Sequence, residues 1–290
     1  GVSGSGKSTL AEVVANCFGG RSEGYCDSFG GGDSIKRTVR VNQAPVGKTP
    51  RSTIVSYLGI FDEIRSLFAK TGVARKMKIG ASLFSMNVKG GRCECCQGTG
   101  MQKIALNYLP STYIPCPECG GKRFNEKVLT VTYQGMTILD VLETPIFELT
   151  DVFKGEAKVH SVLSSMMELG LGYVRLGQMS MSLSGGEAQR IKLARALGTP
   201  SHGRNLYILD EPTSGLNDAD IEKFTKVLMS LQEKGDTIVI VEHNIEFVAT
   251  VADHVIDFGL VSGDAGGKIV SQGAPASVFL DESSSLYGLR

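Results

Sequence analysis

The sequence predicts an α/β fold built on a parallel sheet and interrupted by a cysteine-rich insertion. Three observations carry that reading. Residues 1–8 read GVSGSGKS, a glycine-rich loop that runs into a helical stretch. From Leu206 onward an apolar strand, a helix and a second apolar strand follow one another, the spacing of a parallel α/β unit. Five of the seven cysteines fall between positions 93 and 119.

Composition narrows the class. A length of 290 residues suggests about two units. Hydrophobic residues make up 42%, enough for a sizeable core. The 36 glycines exceed the usual share of about 7% and suit phosphate loops and tight turns. Lys+Arg and Asp+Glu each number 30, which excludes a polybasic nucleic-acid coat but leaves room for a local basic patch. No apolar run approaches the roughly 18 to 20 residues that cross a bilayer. No charged-then-apolar start resembles a signal peptide. A cytoplasmic location and no membrane partner are therefore expected.

GVSGSGKS satisfies G-x-x-x-x-G-K-[ST] throughout. In such a loop the backbone N–H groups close around phosphate oxygens, Lys7 reaches the β- and γ-phosphates and the Ser8 hydroxyl ligates Mg²⁺. The expected phosphate-binding set is Gly1, Ser3, Gly4, Gly6, Lys7, Ser8 and Thr9, with Thr9–Ala15 as the helix whose N-terminus faces the anion. P-loop folds set a strand ahead of the loop. No residues remain here to form it, so the chain is expected to be a fragment. Residues 19–33 read as a polar, glycine-rich loop. Residues 35–43 alternate as a strand, and two prolines break the pattern over 44–53. Residues 58–69 put Ile60, Ile64, Leu67 and Phe68 on one helical face. Residues 159–173 are a further helical pattern, whose Met166 and Met167 read as core packing.

Residues 206–211 read LYILDE. A strand ending in acid carries a carboxylate to the metal of a P-loop, so Asp210 fits the Mg²⁺ and Glu211 the general base. Residues 218–234 form a helix with a buried stripe of Ile221, Phe224, Val227, Leu228 and Leu231, stopped by Gly235. TIVIV at 237–241 is a buried strand, and VEHN after it places His243 at its end. Upstream, LSGGEAQ (183–189) runs into the helical RIKLARAL. Ser184, Gly185 and Gly186 there offer a hydroxyl, backbone N–H groups and a helix dipole to an anion.

Cys93, Cys96, Cys116 and Cys119 give C-x₂-C-x₁₉-C-x₂-C, a zinc-ribbon spacing. Four thiolates around Zn²⁺ make a closed, structural site. Cys95 is a spare thiol that could swap with a neighbour. Six basic residues face three acidic ones between Ser85 and Thr130. Lys89, Arg92, Lys103, Lys122 and Arg123, with Tyr108, Tyr113 and Phe124, are candidates to touch DNA; a solvated surface around a zinc staple is the alternative.

In these motifs the sequence resembles the ABC ATPase superfamily: GVSGSGKS as Walker A, Gln43 as the Q-loop glutamine, LSGGEAQ as signature, LYILDEP as Walker B, SGLNDAD as D-loop and His243 as switch. The inserted CxxC pairs, with VNQAPVGKTPRST, FSMNVKGGRCECCQGTG and YIPCPECGGKRFNE, make it resemble the C-terminal half of the UvrA family, the damage-recognition ATPases of bacterial nucleotide excision repair. CECC carries one cysteine more than that family usually does. The resemblance implies a P-loop ABC-type ATPase domain with an inserted zinc-ribbon module and a helical signature subdomain. The expected division is 1–84 and 183–290 for the ATPase domain, 85–130 for the zinc module and 131–182 for the helical subdomain. It implies ATP, Mg²⁺ and Zn²⁺ as cofactors. The base role falls to Glu211 and the γ-phosphate role to His243. Implied partners are lesion-bearing double-stranded DNA, a second ABC half, a homodimer partner and a UvrB-type helicase. A self-resistance paralogue and a transporter ATPase subunit are the competing readings.

Overall fold

The computed structural model describes residues 4–19, 26–47, 52–106, 109–200, 203–259, 261, 263 and 266–288, the side chains of 105–111 excepted. Helix α1 (Lys7–Phe18) begins directly after Gly6. Gly6 sits at φ 98°, a left-handed conformation that suits glycine, and its carbonyl accepts the first helical bond from Leu10 N–H at 2.9 Å. The helix is longer than the expected Thr9–Ala15 at both ends. Strand β1 (Ile35–Val41) ends two residues early, because residues 42–44 turn away toward a lysine described below.

The expected helix over 58–69 is two helices. Gly59, at φ 73°, ends α2 (Ile54–Leu58), and α3 (Phe61–Ala69) starts afresh with Phe61, Ile64 and Phe68 buried. Short α4 (Gly72–Lys76) follows. The insertion contributes an antiparallel hairpin, β2 (Met101–Leu106) and β3 (Leu109–Pro115), then α5 (Glu126–Leu129). A two-residue ladder of β4 (Thr132–Tyr133) and β5 (Met136–Thr137) leads into α6 (Ile138–Glu143), α7 (Ile146–Val152) and α8 (Ala157–Glu168). The helical pattern expected over 159–173 therefore stops at Glu168, and Gly170 at φ 72° reverses the chain. Met166 is fully buried, as core packing requires, whereas Met167 is exposed.

The signature helix α9 (Gly185–Leu197) leads to β6 (Arg204–Asp210), α10 (Asp218–Glu233) and β7 (Thr237–Val241). Helix α11 (Ile245–Val251), the antiparallel pair β8 (Val255–Asp257) and β9 (Ser271–Gly273), and α12 (Pro275–Phe279) complete the chain. Strands β1, β6 and β7 form a parallel sheet in that order, with Val39 opposite Tyr207 and Leu209 opposite Ile240. Its faces alternate with period two. Leu206 and Ile208 pack toward Ala11 of α1. Tyr207 and Leu209 join the main core with Ile191 and Ala194 of α9.

That main core crosses the expected boundaries. Phe84, Met86, Phe124, Val128 and Val131 belong to the same buried cluster as Ile64, Leu142 and Leu209. Two glycines permit the contact: a Cβ at Gly91 would stand 1.8 Å from the Leu83 carbonyl oxygen, and one at Gly98 1.9 Å from that of Met86. An apolar cavity of about 800 Å³ lies between β7 and β8 beneath α1, walled by Leu10, Val14, Ile240 and Val255. Ile238, Val239 and Ile240, read as fully buried, are half-buried because they face that cavity.

Candidate functional site

Parallel sheets present their functional groups at the C-terminal ends of the strands. Strand β6 delivers Asp210 there and β7 delivers His243. Ser8, on the first turn of α1, donates from Oγ to Asp210 Oδ1 at 3.1 Å across 202 residues of sequence. Adjacent corners of an octahedron with 2.1 Å bonds lie about 3.0 Å apart, so these two oxygens fit neighbouring Mg²⁺ positions. Lys7 Nζ donates to the buried Ser5 hydroxyl at 3.1 Å. Burial lowers its pKa, while Glu211, Asp257 and Asp210 pull the other way. Gly4 and Gly6 both take positive φ, as a loop closing on an anion requires. Thr9 is exposed beside them. Gly1 and Ser3 lie outside the described residues.

Glu211 stands at φ 49°, left-handed for a residue with a side chain. Such a position costs about 1–3 kcal/mol and clusters at functional sites. The turn is fixed by Glu211 N–H donating to the Val241 carbonyl at 2.8 Å. It brings Glu211 Oε1 within 3.4 Å of His243 Nε2, with both side chains nearly half exposed. Gln43 is exposed just beyond β1. It lies against the signature: a Cβ on Gly185 would approach its Oε1 to 3.2 Å. Gly186 faces the Ser214 carbonyl in the same way, at 3.0 Å. Ser184 caps α9, accepting from Glu187 N–H at 3.2 Å, while Glu187 Oε2 accepts from Ser184 N–H at 2.8 Å.

The four cysteines converge. The sulfurs of Cys93, Cys96, Cys116 and Cys119 all lie within 4.8 Å of one another. Four sulfurs 2.3 Å from one zinc are about 3.8 Å apart. Cys93 to Cys116 is 3.9 Å and Cys96 to Cys119 is 3.7 Å, matching two edges of that tetrahedron. Gly100 N–H donates to the Cys96 sulfur at 3.3 Å. Backbone N–H donors, Cys119 first, draw the Cys116 thiol down to about 6, whereas burial pushes Cys119 up to about 12. Cys95 stays outside the set; its sulfur accepts from Gln102 Nε2 at 2.9 Å.

Comparison with known proteins bears on both centres. The "ABC transporter" family profile matches residues 95–214. UvrABC system protein A of Staphylococcus epidermidis is 45% identical over 291 residues, covering 98% of this chain and 31% of the relative. The Thermus thermophilus protein of that name is 47% identical over 290 residues, covering 98% and 30%. The crystal structure of UvrA2 from Deinococcus radiodurans superposes with a TM-score of 0.85 at 44% identity, covering 98% of this chain and 35% of that one. The chain is a homologue of UvrA proteins over nearly its whole length. It spans about a third of the length of the UvrA proteins it matches.

Among the candidate DNA contacts of the insertion, the side chains differ in exposure. Lys89, Lys103 and Lys122 are exposed on the insertion, as is Tyr113. Arg92 and Arg123 are half-buried and paired within the chain. Arg92 pairs with Glu94 at 3.6 Å and donates to the Asn87 carbonyl at 3.3 Å. Arg123 pairs with Glu143 at 3.2 Å and donates to the Gly177 carbonyl at 2.9 Å. Phe124 is buried in the core and offers no stacking face. Tyr108 lies outside the described residues.

Two site residues escaped the sequence reading. Buried Gln189 donates from Nε2 to the Asp210 carbonyl at 2.7 Å, locking α9 to the end of β6. Thr213 donates to Glu242, whose pKa is raised by burial. Gln189 was visible as a polar residue in the signature, but its partner is 21 residues away and only the packed helix shows it.

Proposed function

We propose that this chain is an ATP-hydrolysing segment from the C-terminal half of a UvrA-type protein of nucleotide excision repair. The observation that carries the reading is the meeting of Ser8, Asp210, Glu211 and His243 at one sheet edge, in a chain about 45% identical to UvrA proteins. Lys7 and the loop N–H groups hold the β- and γ-phosphates. Ser8 and Asp210 would hold Mg²⁺, which offsets charge on the phosphate oxygens. Glu211 accepts the proton of a water as that water's oxygen bonds to the γ-phosphorus. The bond from that phosphorus to the β,γ-bridging oxygen breaks, giving ADP and phosphate, and Glu211 returns its proton to solvent. His243, against Glu211, orients the γ-phosphate.

Signature residues Ser184, Gly185 and Gly186 serve a second ABC half, whose Walker A faces them, and a homodimer partner completes the assembly. Cys93, Cys96, Cys116 and Cys119 would hold a structural Zn²⁺. Lys89, Arg92, Lys103, Lys122 and Arg123 are the candidates to meet the phosphates of lesion-bearing duplex DNA, the three lysines being the more exposed. Loading of a UvrB-type helicase and a cytoplasmic location belong to the same reading; no described helix is long and apolar enough to cross a membrane. The UvrA2 match keeps a UvrA-like paralogue as the second reading. The test is equilibrium binding of the complete polypeptide to lesion-bearing and undamaged duplexes with ATP at one salt concentration, because phosphate contacts are salt-dependent. A clear lesion preference is expected. Equal binding to both would replace the repair reading with the paralogue.

A further inference from the structure

The signature helix and the Q-loop glutamine are joined by a side chain that neither motif includes. Lys192 lies on α9, two turns beyond Ser184, and reaches back to the end of β1. Its Nζ donates to the Asn42 carbonyl at 2.9 Å, to Asn42 Oδ1 at 2.6 Å and to the Ala44 carbonyl at 2.6 Å. An ammonium has three donors and no acceptor, so these three bonds use it completely. Asn42 Oδ1 also accepts from Ala44 N–H at 3.3 Å, closing the turn around Gln43. The two carbonyls that Lys192 grips belong to the residues on either side of Gln43, while Gly185 of the same helix faces the Gln43 side chain. One turn earlier Gln189 fastens the same helix to Asp210.

We propose that Lys192 is a positioning residue for Gln43, binding it to the signature helix so that Ser184, Gln43 and Asp210 move as one body. The inference rests on the ATPase reading and deepens it. A displacement of α9, as on engagement of an opposing nucleotide, is then carried to Gln43 through three short bonds rather than through the flexible loop. A guanidinium is no substitute. Its planar fork cannot meet three acceptors clustered about one point, even though it keeps the charge. Burial lowers the pKa of Lys192, a desolvation cost that the three carbonyl oxygens oppose by accepting from the charged form.

The test measures steady-state ATP turnover, fluorescent-nucleotide binding and melting temperature on the complete polypeptide. The proteins are wild type, K192M, K192R, N42A, Q43A and the K192M/Q43A double variant. Expected are a kcat lowered by about 10²-fold in K192M, the scale of a misplaced group, with nucleotide affinity and melting temperature near wild type. K192R should resemble K192M. The double variant should be no slower than the slower single one, because Lys192 acts through Gln43. If K192M turns over as wild type does, or if the two losses multiply to about 10⁴-fold as independent sites would, the proposal is overturned. Should K192M fail to fold, N42A carries the test, and wild-type turnover in N42A overturns it equally. A wild type that binds nucleotide but does not hydrolyse it removes the ATPase reading and the inference with it. K192M slowed beside an active wild type supports both.

Discussion

At the scale of single residues, Glu211 combines a strained backbone with the chemistry assigned to it. Its left-handed φ of 49° persists because Val241 holds its N–H and the carboxylate must turn toward His243. Glu211→Gln keeps size and backbone but loses the basic oxygen. Turnover should fall by about 10²-fold or more with nucleotide binding intact; a rate near wild type would remove Glu211 from the base role. Glu211→Gly should also abolish turnover yet raise stability by about 1 kcal/mol, since glycine takes positive φ freely. Denaturant midpoints would show this, and a fall in stability would mean the turn is not strained. For the cysteines, the paired change C116S/C119S should release one zinc per chain as read by elemental analysis. Unchanged metal content would show that the tetrahedral set is not the ligand set.

At the scale of elements, α9 bears the most functions for its length. Ser184 and Glu187 cap it reciprocally, and Tyr173 donates to Glu187 Oε1 at 2.5 Å. Ser184→Ala should lower stability by about 1 kcal/mol, the worth of an N-cap. Burial pushes the Glu187 pKa up, but the donors from Tyr173 and Ser184 outweigh it and hold the group below its ordinary value. A lowered folded pKa means stabilisation that is complete above the unfolded value near 4.3 and lost as pH falls through the folded value. Glu187→Gln retains a capping partner but should flatten the acid side of a stability–pH profile; an unchanged slope would show that another carboxylate sets it. Elements with strong local signals were legible in sequence: α1, α10 and β7 lie where glycine, caps and apolar period put them. The helix expected over 58–69 was not, because Gly59 stays compatible with a helical pattern until its backbone turns left-handed.

At the scale of the whole molecule, the insertion is rooted in the main core at its two ends, while its cysteines cluster separately. Phe124 and Val128 share a buried cluster with the sheet, and Arg123 ties the insertion to Glu143 and Gly177. Arg123→Met should therefore cost about 1.5–3 kcal/mol, the range for hydrogen bonds to a charged group, and lower the melting temperature of the whole chain in one transition. A separate early transition confined to the insertion would show that it unfolds as an independent unit.

The sequence carries the signals of the phosphate loop, the strand-end carboxylates and the paired CxxC turns, because these depend on residue type at short spacing. It determined the period of the principal strands and helices for the same reason. It takes the packed chain to show that Arg123 reaches the Gly177 carbonyl, that Lys192 holds the turn around Gln43, and that β7 borders a cavity. The first two depend on surfaces that meet across 54 and 150 residues of chain, and no local pattern encodes the partner at the far end.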